Sequence, residues 1–184
     1  MIYFFKMNIN VYRYFQAVSN KEVTLMEELS KFHTVRGYQL LMQNKNLLTS
    51  SMEDYLEMIY RNSLTEGYMR INTISELLNV AAPSATKMVQ KLSKLGLLQY
   101  KKYGVIFLTD NGRELGKFLL DRHNIIESFL KNLGADDDVL VETELVEHSI
   151  SAGTLSTLNM FNKFLLLNPD LVQKFRDFCK QDAG

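Results

Sequence analysis

Apolar residues return at helical spacing through most of this chain, and the breaks between the blocks mark its elements. In TSSMEDYLEMIYRNSLTEG, Tyr55, Leu56, Ile59 and Tyr60 form one apolar stripe. Ser50 followed by Glu53 matches a capping box and Gly67 offers a stop, so a helix is expected between them. INTISELLNVAAPSATKMVQKLSKLGLL predicts two shorter helices. The first runs from Thr73 to Leu78 with Asn72 as cap; the second starts near Pro83, reaches about Leu95 and stops at Gly96. Asn79 to Ala82 is the turn, and Ile74, Leu77, Leu78, Val89, Leu92 and Leu95 supply core positions. LLQYKKYGVIFLT then reads as two short strands around Lys102–Gly104, a β-hairpin. Two helices joined by a short turn and followed at once by a hairpin make a winged helix-turn-helix.

After TDNG, where Asp110 can cap, a long helix is expected to about Leu133, with Leu115, Leu119, Ile126 and Leu130 on its apolar face and Gly134 ending it. Val139 to about Ala152 predicts another helix, and LSTLNMFNKFLLL and PDLVQKFRDFCK two more. The expected fold is therefore mostly α: a winged helix-turn-helix domain over residues 48–109, then an all-helical domain over 110–184.

The beginning of the chain reads differently. Residues 26–47 form a mildly helical arm. Residues 1–25 are aromatic and basic without periodicity, and Lys21–Val23 stands two residues before Met26. Lys-Glu-Val can be encoded by AAGGAGGTN, a strong bacterial ribosome-binding sequence. The expectation is that Met26 is the true start and residues 1–25 are translated leader. A loosely ordered arm is the alternative.

Composition narrows the class. The 184 residues are 46% apolar with a net charge of +0, which fits a soluble globular protein with a real core. No apolar run reaches about 18 residues, so no membrane span is expected. One cysteine, Cys179, excludes an internal disulfide framework or a multi-cysteine metal site and suits a reducing cytosol, so a cytoplasmic location is expected.

The balanced charge hides a split. From Leu77 to Thr109 there is no acid, and five lysines fall there: Lys87, Lys91, Lys94, Lys101 and Lys102. Acids cluster from Asp136 to Glu147. One anionic and one cationic partner are implied. Lys87, Lys91 and Lys94 share one face of the second short helix, with Ser84, Thr86 and Gln90 near them. Pro83 to Lys91 are expected in the major groove of double-stranded DNA, and wing residues Lys101 and Lys102 on its backbone. A plain solvated lysine face is the alternative, although such faces usually mix signs.

The acidic side carries different chemistry. In ELVEH, Glu144, Glu147 and His148 lie at i, i+3 and i+4, on one face of one helical turn. Asp54 and Glu57 repeat the i, i+3 spacing on the first helix, and His123 lies in register with Leu119 and Ile126. Each signal alone reads as surface or core: Glu57 can pair with Arg61, and His123 can be a packed histidine.

SSMEDYLEMIYR, PSATKMVQKLSKLGLL, DRHNIIESFL and ELVEHSIS, in this order and spacing, resemble the diphtheria toxin repressor family of metal-dependent transcriptional repressors, most of all its manganese branch. The resemblance covers about Leu48 to Ser151 and fades in the last helices. It implies metal ligation by Asp54 and Glu57 on the first helix, His123 in the long helix, and Glu144, Glu147 and His148 on the ligand helix. Where the manganese branch often has a second histidine after the ligand one, this chain has Ser149. In the iron branch, sulfur-bearing side chains stand at the places of Asp54 and Glu144, so oxygen at both points to Mn²⁺ ahead of Fe²⁺. The short stretch after His148 also has no room for the iron branch's extra SH3-like domain.

Four carboxylates and two imidazoles suit hard or borderline divalent ions, and four negative charges balance two such ions per subunit. The resemblance further implies a homodimer on a palindromic operator, with metal as co-repressor and metal-uptake genes as targets. Two alternatives keep the fold: an iron-dependent repressor of the same family, and a metal-independent winged-helix regulator. An enzyme is not expected. A di-metal oxidase needs paired Glu-x-x-His motifs, but Glu147 stands three after Glu144 and Tyr60 three after Glu57.

Overall fold

The structure is a computed structural model that describes residues 37, 39–43, 47–135 and 138–182. The expected leader, residues 1–25, lies outside the described residues, as does much of the arm over 26–47.

Helix α1 (Ser50–Glu66) buries Tyr55, Leu56, Ile59 and Tyr60, as its stripe predicts. The capping box does not form. Thr49 is the N-cap and makes no side-chain cap bond, while the Glu53 carboxylate reaches Arg122 and His148 instead. A charged partner across the fold outcompetes a local amide. Gly67, at φ 74°, ends the helix, its N–H donating to the Ser63 carbonyl.

A two-residue strand, β1 (Met69–Arg70), leads directly into α2 (Ile71–Leu77), so Arg70 rather than Asn72 is the N-cap. The helix turns Ile71, Ile74 and Ser75 inward. Leu77 is 49% exposed, against expectation, because the 71/74/75/78 face is the one that meets the core. Asn79, at φ 50°, makes the turn into α3 (Ala82–Lys94), which has Pro83 in its first turn and buries Ala85, Val89 and Leu92.

Strands β2 (Leu98–Lys101) and β3 (Val105–Leu108) form the expected hairpin, paired Leu98↔Leu108 through Lys101↔Val105. A 3-10 turn, Lys102–Gly104, joins them. Strand β1 pairs antiparallel with β3, giving the order β1-β3-β2. This third strand is too short to leave an alternation in the sequence.

Thr109, not Asp110, caps α4 (Asp110–Leu133): its Oγ1 accepts from the Gly112 N–H at 3.0 Å. Leu115, Leu119 and Ile126 are buried and Leu130 is partly so. α4 packs along α1, and a Cβ on Gly116 would stand 2.6 Å from Tyr60 Cβ. That close approach brings the polar edge of α1 against the middle of α4.

Helix α5 (Val139–Glu147) is shorter than expected, with His148 as its C-cap. The chain then turns, and Ser151 caps α6 (Ala152–Leu167), accepting from the Thr154 N–H. α7 (Pro169–Asp182) follows. One core runs from α1 through the winged helix-turn-helix and α4 to Leu155 of α6. Leu140, Leu145, Phe164, Leu166 and Leu167 remain exposed on α5 and α6.

Candidate functional site

Three acids stand on the face of α1 turned toward α4 and α5: Glu53, Asp54 and Glu57. The middle of α4 supplies Arg122 and His123, and the end of α5 supplies Glu147 and His148. Two groups of ligand-type atoms result, each within 4.8 Å: Glu57, His123 and Glu147 in one, Asp54, Glu147 and His148 in the other. Glu147 belongs to both and is 2% exposed. Its Oε2 lies 3.0 Å from His123 Nδ1 and its Oε1 3.7 Å from His148 Nε2. Asp54 Oδ1 is 3.0 Å from that same Nε2, and Glu53 Oε2 is 2.9 Å from His148 Nδ1.

With a carboxylate on each ring nitrogen, His148 is held as the imidazolium. Its hydrogen bonds to Asp54 and then Glu53 lift its pKa to about 9, against burial. Its 3.3 Å approach to Arg122 Nη2 is therefore two donors sharing one acceptor, Glu53, rather than a bond between them. The Glu147 hydrogen bond, stronger than the opposing burial, also raises His123. Burial, then the neighbouring Glu147 charge, pushes the Glu57 carboxyl up, even though Arg61 pairs with it at 2.7 Å. Burial acts to raise Glu53 as well, but His148 and Arg122 together outweigh it and hold that group below its ordinary value.

The donor set fits a divalent cation. Carboxylate oxygens and imidazole nitrogens converge, one carboxylate is shared, and burial, then the Glu147 charge beside it, raises Glu57. The imidazole lone pairs now carrying shared protons are the ones a cation would take.

Five of the six ligand candidates, Asp54, Glu57, His123, Glu147 and His148, thus meet. Glu144 does not: it is exposed on α5 one turn before His148, outside both groups. The sequence pattern places Glu53 only in a capping box and gives Arg122 no role. Leu115, Leu119, Arg122 and Ile126 follow a 4-3-4 spacing, so an arginine inside an apolar stripe was the available signal.

On α3, Pro83, Ser84, Lys87, Gln90, Lys91 and Lys94 are all exposed. Thr86 is half-buried and donates its hydroxyl to the Ala82 carbonyl at 2.9 Å. Lys101 and Lys102 are exposed on the wing, with Lys101 Nζ 4.7 Å above the Phe107 ring. At the tip, Tyr103 is 93% exposed at φ 63°. No helix of the described residues is long and apolar enough to cross a membrane.

Residues 47–106 match the family described as iron dependent repressor, N-terminal DNA binding domain. Residues 109–176 match iron dependent repressor, metal binding and dimerisation domain. The HTH-type transcriptional regulator MntR of Lysinibacillus sphaericus (strain C3-41) is 41% identical over 127 residues, 68% of this chain and 91% of its own. MntR of Listeria welshimeri is 40% identical over 129 residues, 70% of this chain and 91% of its own. Among solved structures, the manganese regulator SloR superposes with a TM-score of 0.56 at 33% identity, covering 64% of this chain and 55% of SloR. The chain thus spans little more than half the length of that structural relative. With both domain types matched in order, and with relatives that overlap it over two thirds of its residues, the chain belongs to the iron-dependent repressor family, the diphtheria toxin repressor family of metal-dependent transcriptional repressors.

Proposed function

We propose that this protein is a DNA-binding transcriptional repressor activated by divalent metal, with Mn²⁺ favoured over Fe²⁺, that controls metal-ion uptake genes in the cytoplasm. One observation carries the reading: Glu147 is shared between two ligand groups whose other members come from both halves of the fold. Asp54 and Glu57 belong to α1, which packs in the winged-helix core; His123 and His148 belong to the helical part. Cation binding supplies an attraction that ties these together where crowded carboxylates repel.

Asp54, Glu57, His123, Glu147 and His148 hold the metal in this proposal. Glu144, on the same turn of helix, completes a set of four carboxylates and two imidazoles. That set balances two divalent ions per subunit. The likeness to the manganese regulator SloR, and oxygen donors at Asp54 and Glu144, support Mn²⁺.

The α3 face enters the major groove, where Ser84 and Gln90 read base edges and the lysines hold the flanking phosphates, while Lys101 and Lys102 contact the backbone from the wing. The exposed apolar side chains of α5 and α6 suit a second copy of the chain, and the matched family domain is one of dimerisation. A two-fold dimer presents two α3 helices to a palindromic operator, about 34 Å or a multiple apart. Metal acts by favouring the domain arrangement that meets this spacing.

Titration of the purified full chain with Mn²⁺, followed by free-ion electron spin resonance, tests the centre. Saturation near two ions per chain is expected. Saturation at one ion contradicts the binuclear reading, and no saturable binding contradicts the metal reading altogether.

A further inference from the structure

Among the described residues, Arg122 is the only arginine or lysine sealed in the core, 3% exposed. A buried guanidinium is costly unless it is well paired. Its pairing here is one-pronged. Nη2 lies 2.9 Å from Glu53 Oε2, on a residue 69 positions away, and Nε has no hydrogen-bond partner among the described residues. An arginine kept only as a clamp is expected to grip its carboxylate with both arms. This one instead extends toward the shared carboxylate, with Nη2 3.8 Å from Glu147 Oε1.

The charges make sense together. Asp54, Glu57, Glu144 and Glu147 match two divalent ions, and Glu53 is a fifth acid at the same place. Arg122 and Glu53 cancel each other. Resting on the metal-activated reading above, we propose that Arg122 is a fixed, built-in cation of the metal centre. It neutralises Glu53 and keeps that carboxylate out of the ligand set. Its charge beside Glu147 sets how tightly the centre holds divalent cations. Arg122 and Glu53 are positioning residues in this scheme, not ligands.

The two single variants should then shift metal affinity in opposite directions. Arg122→Gln removes a positive charge near Glu147 and frees Glu53, so Mn²⁺ binding tightens, by about tenfold or more. Glu53→Gln leaves Arg122 to Glu147 alone, so Mn²⁺ binding weakens, by about tenfold. The double variant and Arg122→Lys both stay within about threefold of wild type, since each keeps the charge count.

The test is calorimetric titration of the full chain with Mn²⁺ alone, without DNA, alongside thermal melting in excess chelator. Melting should fall in both single variants, because each takes one ionic partner from a buried or half-buried charge: Glu53 keeps only His148, and Arg122 keeps only the more distant Glu147. A merely structural pair would lower melting in the same way but would weaken Mn²⁺ binding in both. Same-direction shifts in metal affinity therefore overturn the proposal. If Arg122→Gln does not fold, Glu53→Gln and Arg122→Lys decide: unchanged or tighter binding in the first, or a tenfold change in the second, overturns it. If the wild type binds Mn²⁺ and the variants disobey, only the role of Arg122 fails. If the wild type shows no saturable binding, the metal centre itself fails, and this role with it.

Discussion

His123 Nδ1 and Glu147 Oε2 stand 3.0 Å apart, joining the middle of α4 to the end of α5 in a place almost closed to solvent. The other oxygen of the same carboxylate faces His148 and Arg122. One side chain thus serves both halves of the site. Glu147→Ala should lower Mn²⁺ affinity by more than the roughly 10–100-fold that outer-shell partners cost. DNA binding should persist at its weak, salt-sensitive, metal-independent level. Full activation of this variant by Mn²⁺ in an electrophoretic shift assay would remove Glu147 from the centre.

Glu144 gives a cleaner separation of stability from function. It is exposed and belongs to neither converging group, so Glu144→Ala should change folding stability by less than about 0.5 kcal/mol. The same variant should bind fewer Mn²⁺ ions per chain than wild type. Unaltered stoichiometry and affinity would mean that the ligand set is the five residues that already meet.

The site's protons give a pH dependence. His148 is raised to about 9 by Asp54 and Glu53, while Arg122 opposes the shift and Glu147 lies 3.7 Å away. Its imidazolium therefore stabilises the fold fully below its ordinary value near 6.5, and that contribution is lost as pH rises through about 9. In chelator, the melting temperature should fall across this window, and His148→Gln should flatten the fall. Mn²⁺ competes with the same proton, so its apparent affinity should tighten as pH rises from 6 to 9. Affinity independent of pH would show that no proton leaves on binding.

On the winged helix-turn-helix, Lys87 and Lys91 are expected on phosphates. Replacing either by Ala should weaken binding to all DNA sequences alike and reduce the salt slope by about 1. Gln90→Ala should instead relax sequence preference, losing about 1–3 kcal/mol of discrimination at one base pair. A competition series against random DNA at several salt concentrations separates the two behaviours. Identical effects for Lys91 and Gln90 would contradict this division of roles.

The sequence carried the long features well and the short ones poorly. Ile59, Val89, Leu115 and Leu119 announce their helices because each repeats at 3.6-residue spacing and is fully buried. Strand β1 has two residues and leaves no pattern. Caps shifted by one or two positions, from Ser50 to Thr49, from Asn72 to Arg70 and from Asp110 to Thr109, because spacing alone locates a helix start only to within a residue or two. Glu53 shows the limit of spacing most plainly. Its spacing from Ser50 reads as a local cap, and only the packing of α1 on α4 reveals Arg122 as its partner. The convergence of Asp54, Glu57, His123, Glu147 and His148 is likewise invisible to local pattern. The family resemblance, not the spacing, joined these three segments.

The most direct test is DNA affinity with metal present and absent. A site selected from random DNA in the presence of Mn²⁺ can be labelled and titrated with the full chain by fluorescence anisotropy at fixed ionic strength. Mn²⁺ should tighten binding at least about tenfold, a coupling of about 1.4 kcal/mol, and chelator should reverse it. Equal affinity in Mn²⁺ and in chelator would contradict the metal-switched account.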